Sequence, residues 1–101
     1  MLNIHRDGQQ FILTGPLDRD TVVTQWPFTG FAQVAGDISF NLAGVTHVDT
    51  AGIAWLLEQM AQAKAQQRQL QLLHWPAQLV SLATVSGVTT LLTAEALQTA
   101  E

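Results

Sequence analysis

The chain has 101 residues, 48% hydrophobic and 12% charged, with a formal net charge of −4 and no cysteine. That length and apolar content suit one domain over residues 1–101 with a core of its own; they exclude a disordered chain, and the missing cysteine excludes disulfide scaffolds, thiol chemistry and zinc–thiolate sites. The four permanent cations, Arg6, Arg19, Lys64 and Arg68, are scattered, which leaves no basic stripe for nucleic acid and no polybasic membrane anchor.

Met1–His5 is too short for the apolar stretch of a signal peptide and is interrupted by Arg6, Asp7 and Gly8, so no secretory leader is expected. No window of about 20 residues is uniformly apolar, so no membrane-spanning helix and no direct membrane insertion are expected. The reading is a small soluble cytoplasmic domain.

Leu2–Arg6 alternates apolar and polar residues. Asp7-Gly8 then signals a tight hairpin turn, and Phe11-Ile12-Leu13 reads as the returning strand, ending at Gly15-Pro16. Asp18 is an N-cap for a helix over Arg19–Trp26, with Val22, Val23 and Trp26 at helical spacing; Pro27 stops or kinks it. Phe28–Ala35 can resume the helix, against the tendency of Gly30 and Gly36. Ile38–Leu42 alternates as a strand, and Val45 and Val48 extend its apolar character towards Asp49.

A long helix over Ala51–Gln67 follows. With its core face centred on Ile53, that face takes in Leu56, Leu57, Met60, Ala61 and Lys64 at about 100° per residue. Leu70–His74 reads as a buried strand. Pro76 opens a further helix holding Leu79, Val80, Leu82, Ala83 and Val85, which Gly87 caps. Val88–Leu92 is a short strand or irregular, and Thr93–Leu97 a short terminal helix. The order ββαβαβα predicts an α/β domain with a mixed sheet.

Phosphate-binding Gly loops and the G-x-S-x-G elbow are missing, and His5, His47 and His74 form no H-x-x-x-H pair, so no cofactor or metal is expected. His47-Val48-Asp49-Thr50-Ala51-Gly52 is the most informative segment. A hydroxyl–His–carboxylate reading of His47, Asp49 and Thr50 suffers from geometry: neighbours on one short loop rarely converge on one proton. An aspartic-protease reading needs Asp-Thr-Gly before a β-loop, whereas here Asp-Thr-Ala-Gly runs into a helix.

Capping explains the residue types more simply. Thr50 is an N-cap, Asp49 lies at the positive end of the helix dipole, and Gly52 lets the first turn approach a neighbouring backbone. Capping leaves Trp55 unexplained. It falls about 200° from Ile53 around the helix, opposite the core face, and is either covered by the first helix or a contact anchor. Trp26 carries the same two readings, and tryptophan is enriched in interface hot spots. Trp75 reads as a core-edge residue. Glu58, Gln59, Gln62 and Gln66 read as a solvated face.

The string from Ile38 through Asp49-Thr50-Ala51-Gly52-Ile53 into a long helix resembles the STAS domain, whose hallmark is a strand ending in Asp-Ser/Thr-x-Gly-Leu/Ile before a helix. Gly15-Pro16-Leu17-Asp18, Ser86-Gly87-Val88 and Ala94-Glu95-Ala96-Leu97 also fit, so the resemblance covers nearly the whole chain. It implies a STAS-like α/β fold, a mixed β-sheet with helices packed on one side. The spacing from Gly15 to Trp26 and the string Val48–Gly52 are most similar to the STAS subunits of bacterial Mla phospholipid transporters.

That subgroup implies a non-catalytic subunit that binds and stabilises an ABC transporter ATPase and, through it, meets the membrane permease. Such a subunit works at the cytoplasmic face of the inner membrane of Gram-negative bacteria and serves outer-membrane lipid asymmetry. Thr50 and the turn after it (Asp49, Ala51, Trp55), with Trp26, are the expected docking patch. The alternative is an anti-sigma-factor antagonist acting by partner switching. In that group the phosphorylated Ser directly precedes Gly; here that residue is Ala51, so only Thr50 could carry the phosphoryl group.

Overall fold

The Asp7-Gly8 pair closes a hairpin between β1 (Asn3–Asp7) and β2 (Gln10–Leu17), with Gly8 at φ +65°, a region that favours glycine. The computed structural model describes residues 1–25 and 28–86. Trp26, Pro27 and everything from Gly87 onward lie outside them, including the expected Gly87 cap, the Val88–Leu92 strand and the terminal helix.

After β2 come α1 (Arg19–Val22), 3-10 turns over Val23–Gln25 and Gly30–Gln33, β3 (Ile38–Val48), α2 (Thr50–Ala65), β4 (Leu70–Leu73) and α3 (Ala77–Ser86). Phe28–Ala35 thus resumes only as a single 3-10 turn, as Gly30 within it and Gly36 just after it favour. His74 leaves the sheet with φ +59° rather than ending the strand.

The sheet has four strands in the order β1-β2-β3-β4; β1–β2 is antiparallel, and β2–β3 and β3–β4 are parallel. Both parallel connections run through helices. Crossovers of one hand from strands pointing the same way place their helices on one face, and α1 and α2 indeed pack on each other. Phe11 pairs with Phe40, and Phe40 with Leu72, so one row of large apolar side chains crosses the sheet. Leu79 and Ala83 of α3 join the same core as Leu56 and Met60 of α2. On the opposite face Ile12, Asn41 and Leu73 are only half buried. No helix among the described residues is long and apolar enough to cross a membrane.

β3 buries Ile38, Phe40, Leu42, Val45 and Val48. The change of step from two residues to three follows two register shifts against β2, after Ile12 and after Gly15. Each gives β3 an extra residue and resets which face its side chains take. The second falls at Pro16, which has no N–H to give a ladder. The result carries Val48 inward and delivers Asp49 to the sheet's end.

α2 ends earlier than its apolar pattern, at Ala65. Gln67 adopts φ +60°, with its N–H on Lys64 O (2.9 Å) and the Arg68 N–H on Ala63 O (2.8 Å), a Schellman closure. This aims Arg68 at the loop before β3. Its guanidinium donates to the carbonyls of Phe31 (2.8 Å), Gly36 (2.7 Å) and Val34, and lies 5.8 Å from the Phe31 ring centroid. Planar guanidinium reaches three carbonyls where an ammonium cannot hold the same fork. Arg68→Ala is expected to lose about 2 kcal/mol in urea unfolding, and Arg68→Lys to recover less than half. Equal recovery by lysine would show that charge, not the fork, holds the loop.

Candidate functional site

Two strand-to-helix junctions lie side by side at one end of the sheet. Leu17 pairs with Val48 at the ends of β2 and β3, and each is followed by an aspartate and a helix. Asp18 caps α1: Oδ1 accepts the N–H of Asp20 and of Thr21, both at 3.1 Å, while Thr21 Oγ1 accepts the Asp18 N–H at 3.0 Å. This reciprocal pair is a capping box. The sequence expectation of a helix start at Asp18 stands, with the α-helical part shorter than expected.

The second junction corrects the reading of Thr50 as N-cap. Asp49 is the cap, in extended conformation, and Thr50 is the first helical residue, exposed to solvent. Asp49 Oδ1 accepts the Gly52 N–H at 2.9 Å, and Oδ2 accepts the Arg19 N–H at 3.1 Å. One carboxylate therefore satisfies donors at the start of both α1 and α2, which a single hydroxyl could not do. Gly52 sits against Leu17, where an added Cβ would meet the Leu17 carbonyl oxygen at 2.1 Å. Gln78 of α3 accepts the Val48 N–H at 2.9 Å and ties a third helix to the same end.

Partial burial of Asp49 alone would raise its pKa. Hydrogen bonds from the N–H groups of Gly52, Arg19 and Ala51, with His47 nearby, outweigh burial and hold it below the usual value. The charged cap therefore stabilises the fold above the unfolded pKa, about 3.9, and that contribution disappears as pH falls through the lower folded value. Asp49→Asn keeps one acceptor and turns a donor on the other N–H. It is expected to cost about 1 kcal/mol in urea unfolding at pH 7, a gap that narrows below about pH 4. A gap unchanged into acid would show that the carboxylate charge is not its source.

Of the other residues expected at the site, Ala51 is half buried beside Asp49, and Trp26 lies outside the described residues. Trp55 is corrected. It is 1% exposed, stacked on Phe40 (centroids 5.8 Å, planes 17° apart) and edge-on to Phe28 at 5.7 Å, and its Nε1–H donates to Gln25 O at 3.3 Å. Of the two readings the sequence left for it, covered or contact anchor, it takes the covered one. Gln59 is corrected as well: it is fully buried, with Nε2 donating to Trp55 O at 3.2 Å and Oε1 without a hydrogen-bond partner among the described residues. Trp75, half buried with Nε1–H on Leu72 O at 3.0 Å, is the core-edge residue expected.

Both Asp49 oxygens are committed to backbone N–H groups, so the geometry does not favour the hydroxyl–His–carboxylate arrangement. No group of three or more potential metal ligands occurs among the described residues. The sequence reading did not foresee the exposure of Val23, 64% open to solvent directly after α1. The expected helical spacing of Val22, Val23 and Trp26 left its exposure open; the α-helix ends at Val22 and a 3-10 turn starts at Val23.

The family model described as "Mlab, STAS domain" matches residues 2–93. The chain is 27% identical over 92 residues to the intermembrane phospholipid transport system binding protein MlaB of Haemophilus influenzae, covering 86% of this chain and 88% of that protein. It is also similar in fold to the anti-sigma factor antagonist SpoIIAA in its unphosphorylated form. The TM-score is 0.61 at 17% identity, over 89% of this chain and 82% of that one. The strand–Asp49–helix junction, the mixed sheet and the match over nearly the whole length agree: the chain belongs to the MlaB-type STAS domain family.

Proposed function

We propose that the chain is a non-catalytic subunit of an intermembrane phospholipid ABC transport complex. It docks on the ATPase at the cytoplasmic face of the inner membrane, reaches the permease through it, and contributes to outer-membrane lipid asymmetry. The observation that carries this reading is the exposed Thr50 at the start of α2. Thr50 stands in solvent while its neighbours Asp49 and Gly52 are locked by backbone contacts, which gives a rigid platform with a free surface. Val23, exposed just after α1, is the proposed extension of that surface, and Trp26, next in sequence after Gln25, its proposed aromatic anchor. The MlaB relative supports the transport assignment.

The test is capture of the tagged protein's partners from detergent-solubilised membranes of its own bacterium. Wild type is expected to retain an ABC ATPase with its permease. Thr50→Arg is expected to lose at least about tenfold of that capture with the fold intact, since Thr50 is solvent-exposed. Undiminished capture would remove Thr50 from the docking surface.

The second reading, an anti-sigma-factor antagonist, has support in the SpoIIAA-like fold and in the accessible Thr50 hydroxyl. It requires protein isolated from its own cells to carry a phosphoryl group on Thr50, roughly 80 Da of added mass, and to capture a soluble kinase-like partner instead of a transporter. Ala51, without a hydroxyl, weighs against it.

A further inference from the structure

α1 has four residues and is followed at once by a 3-10 turn. A helix this short has no stability of its own in water. From Arg19 to Gln25 only Val22 is buried, so apolar anchoring is one valine deep. Yet this segment carries Val23, 64% exposed and part of the proposed docking surface.

Two tethers from α2 hold its ends. At the start, Asp49 accepts the Arg19 N–H at 3.1 Å; at the end, the Trp55 indole donates to the Gln25 carbonyl at 3.3 Å. Both land on backbone, so they act whatever side chains stand at 19 and 25. The indole is fixed in turn by its stack on Phe40. We infer that Asp49 and Trp55 are positioning residues that clamp the Arg19–Gln25 segment onto α2 and hold its exposed Val23 in place beside the start of α2 for partner docking. This rests on the docking reading proposed above.

The experiment compares full-length wild type, Trp55→Phe, Asp49→Asn, Leu79→Val and Thr50→Arg by hydrogen–deuterium exchange and by capture of the ABC ATPase from solubilised membranes. Leu79, fully buried in α3, supplies a control that lowers global stability without touching a tether. Trp55→Phe keeps a ring on Phe40 and removes only the N–H donor and some packing. Each tether variant is expected to speed exchange at residues 19–25 about fivefold to tenfold relative to the β3 amides, and to weaken ATPase capture by a similar factor. Leu79→Val is expected to leave both unchanged.

Exchange at residues 19–25 that rises only in step with β3 would overturn the inference, as would loss of capture in Leu79→Val equal to that in the tether variants. A loosened segment with normal capture, while Thr50→Arg binds poorly, would overturn the positioning role and leave docking standing. Normal capture by Thr50→Arg as well would remove the docking reading and the inference together.

Discussion

Gly52→Ala is expected to lower stability by about 3 kcal/mol, at the upper end of overpacking costs. Two effects oppose each other. Alanine is the better helix former by about 1 kcal/mol, and Gly52 lies inside α2 at a negative φ, so the backbone itself would welcome the change. Against this, the added Cβ would meet the Leu17 carbonyl oxygen at 2.1 Å and its carbon at 3.0 Å. These are backbone atoms of a central strand, with no side chain that can swing aside.

Relief requires α2 to lift from β2, which pulls Asp49 off the Arg19 N–H and disturbs both helix starts. For a domain of this size the loss corresponds to roughly 10–20 °C in Tm. Ala51→Ser is the control: one residue away, half buried, it is expected to change stability by less than about 0.5 kcal/mol. It also places a hydroxyl directly before Gly52. Urea unfolding followed by circular dichroism measures both. A Gly52→Ala protein as stable as wild type would mean that the junction is looser than its geometry shows, and would remove the rigid platform on which the docking reading depends.

The element order was legible because its signals are local. Asp7-Gly8, the alternation of Ile38–Leu42 and the Asp18 cap each act over a few residues. The face of α2 was not. Centring the core on Ile53 drew in Leu57, Ala61 and Lys64, whereas the helix buries Gly52, Ile53, Trp55, Leu56, Gln59, Met60 and Ala63. The true face is turned by roughly 80°. Apolar counting fails here because Ala61 is exposed and Gln59 buried. What sets the rotation is the close approach of Gly52 to Leu17 and the aromatic slot between Phe28 and Phe40, both long-range facts.

The junction shows the same division. Capping chemistry was readable at Asp49-Thr50. Which of the two caps depends on Arg19, thirty residues away in sequence, whose N–H only a second carboxylate oxygen can satisfy. The exposure of Val23 was not legible because a helical pattern says nothing of where α-geometry yields to a 3-10 turn. The exposure of Val23 is set by where a short element stops, and stops depend on tethers from other parts of the chain.

Trp55→Ala is expected to cost about 3–5 kcal/mol, the range for truncating a large buried aromatic. The ring is 1% exposed and contacts Phe40 and Phe28, and its loss also leaves the Gln25 carbonyl without its indole donor. Against a total stability of about 5–15 kcal/mol for a domain, the variant would stand near the edge of unfolding at 37 °C. An exposed tryptophan used only for contact would cost less than about 0.5 kcal/mol, so the measurement separates two roles for the same residue by a wide margin. Fluorescence is unsuited, since the substitution removes a fluorophore; urea titration by far-ultraviolet circular dichroism is the readout. A loss below about 1 kcal/mol would place the indole at the surface and return Trp55 to the docking patch. A loss in the expected range assigns it to the core, where any influence on a partner must pass through the segment it holds.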